Sequence, residues 1–267
     1  MLTVLSLGAG VQSTTLALMA ARGELPAPDC AIFADTRNEA QATYRHLDWL
    51  ETQLPFPVHR VSAGDLGADF MAAITGATTR CAQPPFYVRN PVNDGTIAAD
   101  SGGMLWRQCT KEYKLQPIRA KTRELSAGQP VEQWIGISLD ECHRMRDSNV
   151  GYITNRYPLI ERRMTRGDCL AWLARNGYPQ PPKSACYFCP YTSDERWRAM
   201  KASDEPEWTL AVAFDDALRS KRIAKLAAGI KGEIFVHRSM TPLRDADLAD
   251  MGTADLFGAD CDGMCGT

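Results

Sequence analysis

The stretch VLSLGAGVQSTTLAL, residues 4–18, decides the fold. Its apolar first part predicts a buried strand over 2–7, and the small residues that follow predict a tight turn. Apolar residues then return at helical spacing, which predicts a helix over about 13–22. A glycine turn between a strand and a helix presents backbone N–H groups to an anion, and the positive helix end adds to the attraction. The same turn also fits an ordinary strand–helix connection with an N-cap.

The rest of the chain predicts an α/β fold. Strands are expected at 30–35, at 57–62 and across VEQWIGIS, residues 131–138, with helical patterns between them. This alternation favours a three-layer parallel sheet of about five strands with helices on both faces. We place an α/β domain that contains this turn over 1–165, interrupted by an irregular excursion at 64–105. A cysteine-bearing, partly helical region is expected over 166–267.

Composition narrows the class of protein. The chain has 267 residues and a formal net charge of −2, so bulk charge does not decide for or against a nucleic-acid partner. No apolar run approaches the roughly 18 residues of a membrane-spanning helix, so no membrane partner is expected. Nine cysteines without an export signal indicate metal or redox chemistry rather than disulfides. We therefore expect a cytoplasmic protein, with a homodimer as an open option.

Five stretches resemble, in order, the family of PP-loop ATP pyrophosphatases and phosphoadenosine phosphosulfate (PAPS) reductases, which have an adenine nucleotide alpha hydrolase-like fold. GAGVQS, residues 8–13, resembles the SGGxDS loop of the pyrophosphatases. It is closer to the reductase variant, in which a Gln follows the small residues. The other four stretches are ADTRNEAQATYRHLDWL, QCTKEYKLQPI, IGISLDECHRMR and YPLIERRMTRGDCLAWLARNGYP.

The resemblance implies that the loop holds the phosphates of an adenine nucleotide, ATP with Mg²⁺. Asp35, after the second strand, is expected to contact ribose or metal, with the N-cap of the next helix as the alternative. Lys111, Arg144 and Arg146 are expected near the same sheet edge, where they would bind phosphate or sulfate. The expected nucleotide-binding residues of the loop are Ser6, Gly8, Ala9, Gly10, Val11, Gln12, Ser13 and Thr14.

Three departures from the family pattern bear on the reaction. Gln12 stands where the pyrophosphatase signature has an aspartate. Ser138 and Leu139 stand where the reductases tend to carry arginines that grip the sulfonucleotide. A single cysteine replaces the tandem Cys-Cys of adenylyl-sulfate reductases.

The cysteines suggest a metal centre. Cys186 and Cys189 form a Cys-x-x-Cys-Pro, a spacing at which two thiolates can face one metal. Cys109 lies where the reductases carry their first cluster cysteines, so the resemblance implies a [4Fe–4S] cluster on these three residues. A structural zinc and a redox dithiol are the alternatives. In the tail, Cys261 and Cys265 are candidates for a fourth ligand, for the catalytic nucleophile or for a carrier of persulfide sulfur.

Other residues carry weaker expectations. Cys30, Cys142 and Cys169 fall in strand or helix patterns and are expected to be plain buried cysteines. A candidate track for a nucleic-acid backbone consists of Arg162, Arg163, Arg166, Arg196 and Arg198.

Three functions are compatible with these features. The first is a PP-loop ATP pyrophosphatase and sulfurtransferase that adenylates DNA for phosphorothioation or tRNA for thiolation. Its sulfur would come from a donor such as a cysteine desulfurase. The second is a sulfonucleotide reductase that releases sulfite from PAPS or adenylyl sulfate. The third is a non-catalytic subunit that binds nucleotide or cluster within a modification complex.

Overall fold

The computed structural model describes residues 1–89, 102–219 and 232–249. The predicted tail cysteines Cys261 and Cys265 lie outside these residues. The described chain forms two compact units. The first consists of Met1–Ala63 and Lys111–Ala185, and the second consists of Gly64–Thr110 and the described part of 186–249.

A parallel sheet forms the centre of the first unit. Its five strands are β1 (Leu2–Ser6), β2 (Cys30–Ala34), β3 (Val58–Val61), β6 (Val131–Ile135) and β7 (Ile153–Arg156). All four strand pairs are parallel, and the order across the sheet is β3-β2-β1-β6-β7. The helices of this unit are α1 (Val11–Ala21), α2 (Gln41–Gln53), α4 (Gln116–Ser126), α5 (Pro158–Glu161) and α6 (Arg166–Arg175). A π-helix at Thr110–Leu115 leads into α4, and a 3₁₀ helix at Leu139–Arg144 follows β6.

Helices cover both faces of this sheet. Successive side chains of a strand point to opposite faces, and two hydrophobic clusters reflect that alternation. Leu5 and Phe33 belong to a cluster with apolar residues of α1, α2 and α6. Val4 and Ile32 belong to a second cluster with Ile118 of α4. The predicted three-layer α/β fold with a five-stranded parallel sheet is therefore confirmed.

The second unit has a different architecture. Its helices are α3 (Leu66–Ile74), α7 (Asp194–Ala202) and α8 (Glu207–Leu218), with a short 3₁₀ helix at Leu243–Asp245. Its strands are β4 (Tyr87–Arg89), β5 (Gly102–Met104) and β8 (Glu233–Phe235), which pair antiparallel in the order β5-β4-β8. Aromatic rings fill its core, and Phe188 stacks on Phe214 with ring centroids 4.2 Å apart.

Two sequence predictions differ from this architecture. The segment 64–105 is not irregular throughout, because α3 forms within it. Asp65 caps that helix, and Leu66, Phe70 and Ile74 repeat every four residues on its buried side. The predicted boundary at 165 does not coincide with a boundary between the units, since α6 packs in the first one. Within the described ranges, no helix has the length and apolar character needed to cross a membrane.

Candidate nucleotide-binding site

The loop between β1 and α1 lies at the carboxyl edge of the parallel sheet, where open α/β sheets bind ligands. Ser6 ends β1, and the loop residues are buried. Ala9 adopts φ 56°, a left-handed conformation that a residue with a side chain seldom takes. Strained backbone of this kind is found at ligand-binding sites more than elsewhere. The Ser13 hydroxyl closes the loop, because it accepts from Gly8 N–H at 3.2 Å and donates to Gly10 O at 3.4 Å.

The first turn of α1 offers donors to an anion. Gly10 is the N-cap, so no side chain caps the helix, and its first turn contains no acidic residue. The first N–H groups of a helix have no acceptor within the helix, so a buried helix start without a cap calls for another partner. Backbone donors and the positive helix end favour a phosphate or sulfate group here.

Gly136 sets the distance between β6 and this turn. A Cβ atom at position 136 would lie 2.9 Å from Ser13 N and 3.1 Å from Ser13 Cα. Cβ atoms do not approach backbone so closely, and only glycine leaves the room that the loop occupies. Gly136 lies in the quoted IGISLDECHRMR stretch, but its role could not be derived from the sequence.

The Gln12 side chain is held on both sides. It is 1% exposed, and its Oε1 accepts from Arg166 Nη1 at 3.0 Å. Its Nε2 donates to Glu141 Oε2 at 3.1 Å and to Ser138 Oγ at 3.4 Å. Glu141 in turn accepts from Arg144 Nη1 at 2.6 Å. The Gln12 side chain therefore connects the loop by hydrogen bonds to the start of α6 and to the 3₁₀ helix after β6.

The predicted basic residues of this edge have different surroundings. Arg144 donates to Glu141, which in turn accepts from Gln12 of the loop. Arg146 is exposed, and its Nη1 donates to the carbonyls of His143 and Met145 at 2.9 and 2.7 Å. Arg166, one of the arginines of the candidate nucleic-acid track, donates to Gln12. Arg166 is the first residue of α6, and its contact with Gln12 depends on how α6 packs, which the sequence alone does not show.

Asp35 follows β2 at the same sheet edge. Its Oδ1 accepts from Arg37 N–H at 2.7 Å and from the Tyr44 hydroxyl at 2.8 Å. Burial, together with this bond, raises the pKa of Tyr44 well above its usual range. The residue preceding α2 is Ala40, so Asp35 is not the N-cap of that helix. Its carboxylate remains a candidate contact for ribose or metal.

A buried ion pair lies in the same unit. Lys114 Nζ donates to Glu39 Oε1 at 3.2 Å, and Ser184 Oγ donates to Glu39 Oε2 at 3.3 Å. The Glu39 side chain is fully buried and that of Lys114 is 11% exposed. Lys114 lies on the π-helix, a conformation that occurs frequently at functional sites. Lys111, the predicted phosphate ligand, is exposed. The sequence places both lysines on one predicted segment but does not indicate which side chain the π-helix buries.

The Thr14 hydroxyl, predicted as a phosphate donor, lies 3.0 Å from His46 Nε2. His46 is buried, and burial lowers its pKa to about 4. The imidazole is therefore neutral at pH 7, and it contacts the first turn of α1 through Thr14 without adding charge. The hydroxyls of Ser13 and Thr14 therefore both have hydrogen-bond partners within the protein.

The predicted cluster cysteines all belong to the second unit. Cys189 N–H donates to Cys186 O at 3.0 Å, which makes the Cys-x-x-Cys a tight turn. Cys109 N–H donates to Gln83 O at 3.3 Å. Within residues 1–89, 102–219 and 232–249, no three His, Cys, Asp or Glu side chains converge as ligands of a metal ion.

The other cysteines divide by burial. Cys30 and Cys169 are buried as predicted, and burial raises the pKa of their thiols to about 11 and about 12. Cys142 is exposed, contrary to the prediction. It lies on the 3₁₀ helix Leu139–Arg144, none of whose residues is buried.

No family model and no curated protein matches the sequence. Among solved structures, the chain is similar to the crystal structure of a PAPS reductase from Candida auris in a phosphate complex. The two chains share 14% sequence identity with a TM-score of 0.43, over 67% of this chain and 74% of the other.

Proposed function

We propose that the loop 8–14 binds the phosphates of an adenine nucleotide. The observation that carries the proposal is the start of α1, which is buried, has no side-chain cap and has no acidic residue in its first turn. Such a turn is a site for a phosphate group. The choice of an adenine nucleotide as the ligand rests on the five stretches of sequence that resemble the PP-loop family.

The first candidate reaction is adenylation followed by sulfur transfer. An oxygen of the acceptor, in DNA or tRNA, attacks the α-phosphorus of ATP, and the bond to the β-phosphate oxygen breaks. Pyrophosphate leaves with the electron pair, and the N–H groups of the loop stabilise its charge. The outer sulfur of a persulfide on one tail cysteine would then attack the activated acceptor, and AMP would leave with the electron pair. The thiolate of the other tail cysteine would attack the inner sulfur of the resulting Cys–S–S–acceptor, releasing the thiolated acceptor. The Cys261–Cys265 disulfide left behind would be reduced by an external thiol. Cys261 and Cys265 are proposed as carriers of that sulfur, which a donor such as a cysteine desulfurase would supply.

The second candidate is a sulfonucleotide reductase. The neutral Gln12, fixed by Arg166 and Glu141, favours this alternative, because the pyrophosphatase loops have a carboxylate at that position. A thiolate would attack the sulfur of PAPS or adenylyl sulfate and release the nucleotide. A second thiol would then reduce the S-sulfonated cysteine and release sulfite.

Product analysis separates the candidates. The full-length protein is incubated with ATP and either tRNA or DNA, and separately with PAPS and reduced thioredoxin. Pyrophosphate that depends on the acceptor supports the first reaction, and sulfite supports the second. Bound nucleotide without either product supports a non-catalytic subunit. Absence of nucleotide binding under all conditions contradicts the proposed function.

A further inference from the structure

A serine, a histidine and an aspartate form a chain of hydrogen bonds in the second unit. The Ser239 hydroxyl lies 2.7 Å from His237 Nδ1, and His237 Nε2 lies 2.9 Å from Asp194 Oδ1. Ser239 is exposed on the turn that follows β8, whereas His237 is buried. A nucleophile in contact with a base, and a base oriented by a third group, is the arrangement that serine-dependent covalent catalysis requires.

The backbone decides which ring nitrogen of His237 carries the proton. Ser239 N–H donates to Nδ1 at 3.2 Å, so Nδ1 is an acceptor and the proton of the neutral ring lies on Nε2. Nε2–H then donates to Asp194 Oδ1, while Asp194 Oδ2 accepts from Arg238 Nη2 at 2.5 Å. The Ser239 hydroxyl therefore donates to the lone pair of Nδ1. The Ser-His-Asp template uses the two nitrogens the other way round, and both assignments place a lone pair at the serine and the N–H at the carboxylate.

The Thr241 hydroxyl is the other partner of Ser239. Its Oγ1 lies 2.6 Å from Ser239 Oγ. Because the Ser239 proton is directed at His237, the Thr241 hydroxyl is the donor of this pair. A serine oxygen has two lone pairs, so one of them remains for attack on a substrate.

A buried carboxylate holds the turn that carries the serine. Asp215 is fully buried, and its Oδ1 accepts from Val236 N–H at 2.9 Å and its Oδ2 from Leu243 N–H at 2.7 Å. One side chain therefore joins both ends of the turn 237–242. Within this turn Met240 adopts φ 53°, a left-handed conformation that is rare for a residue with a side chain. Backbone held in this way is found at functional sites more than elsewhere.

The charge beside Ser239 favours an uncharged substrate. Attack on a phosphate ester calls for positive groups that meet the phosphoryl oxygens. The guanidinium next to Ser239 in the sequence, that of Arg238, is paired with Asp194, which offsets its charge. A carboxylic ester carries no charge and makes no such demand, so it is the substrate class that fits this serine.

We propose that Ser239, His237 and Asp194 form a catalytic site that hydrolyses carboxylic esters, in a different unit from the loop 8–14 and independent of the function proposed for that loop. Ser239 Oγ attacks the carbonyl carbon, and its proton passes to His237 Nδ1. The ester C–O bond breaks, and the alkoxide leaves with the electron pair and takes the proton from Nδ1. Water then attacks the acyl-serine with Nδ1 again as the base, which releases the carboxylic acid and returns the proton to Ser239. Asp194 is a positioning residue that fixes the tautomer.

Two measurements on the full-length protein test this site. The protein is treated with a fluorophosphonate, which phosphonylates activated serines, and the modified residue is identified by mass spectrometry. Turnover of p-nitrophenyl acetate, an uncharged ester, is followed by release of p-nitrophenolate. We expect the label on Ser239, and Ser239→Ala should abolish turnover. His237→Gln should lower kcat by about 10²-fold or more, since general-base catalysis typically contributes about 10²–10⁴-fold.

The controls separate catalysis from folding. Ser239→Ala removes only an exposed hydroxyl, and Ser203→Ala, at an exposed serine that accepts from Glu205 N–H, should keep both the label and the turnover. Asp194→Asn should lower kcat with little change in KM, because Asp194 acts on the imidazole and not on the substrate. Turnover retained by Ser239→Ala, or a label absent from Ser239, overturns the inference. So does an unchanged labelling rate in His237→Gln, and so does a label on Ser239 without ester turnover.

Discussion

His46 shows how burial of one side chain makes stability depend on pH. The imidazole is buried against Thr14, and its pKa falls from 6.5 to about 4. Between these values the unfolded chain takes up a proton that the native chain does not. The free energy of unfolding should therefore fall as the pH drops from about 6.5 to 4, by up to roughly 3 kcal/mol for this group.

Urea denaturation of the wild type and of His46→Gln at pH 7 and pH 4.5 measures this contribution. Other groups titrate in both proteins, so the difference between the two losses isolates His46. The wild type should lose more stability than the variant. Equal losses would show that His46 is protonated with its ordinary pKa in the native protein.

At the scale of elements, the packing of β6 against α1 positions the loop. Gly136→Ala would place a Cβ 2.9 Å from Ser13 N, and the contact is with backbone rather than with a flexible side chain. The first turn of α1 must then shift, and binding of ATP should weaken roughly tenfold because its donors are misplaced. Gly151→Ala is the control, since nothing lies within 4 Å of a Cβ there. Unchanged binding by Gly136→Ala would show that the loop tolerates the shift or does not bind the nucleotide.

The elements that the sequence predicted best are those buried on both faces. A central parallel strand has a continuous apolar run, so β1, β2 and the start of β6 were predicted within one or two residues. The edge strand β3 has no buried residue, and it was predicted within one residue at each end from its alternating pattern and its place between two helices. The fifth strand, β7, has the sequence ITNR at the sheet edge and shows no such run. The contact of Arg166 with Gln12 and the burial of Lys114 depend on how their helices pack against the rest of the unit. The spacing of apolar residues along the sequence does not specify that packing.

At the scale of the whole molecule, the two units are discontinuous in sequence. The chain leaves the first unit at 64, returns at 111 and leaves again at 186. The change in composition at 64 marked the first of these crossings, where the predicted excursion began. The crossing at 186 has no comparable mark in the sequence, because a boundary between units depends on contacts between residues that are distant along the chain.

The metal content of the whole protein tests the cysteine hypothesis. Cys109, Cys186 and Cys189 share the second unit. A [4Fe–4S] cluster is held by four thiolates, so the cluster hypothesis requires one more cysteine. With Cys261 as that ligand, protein purified without oxygen should be brown and contain about four irons. Cys186→Ala and Cys261→Ser should each remove the iron. Cys142→Ser, which changes an exposed thiol of the first unit, should retain it. A colourless protein with one zinc would refute the cluster and make the cysteines a structural site.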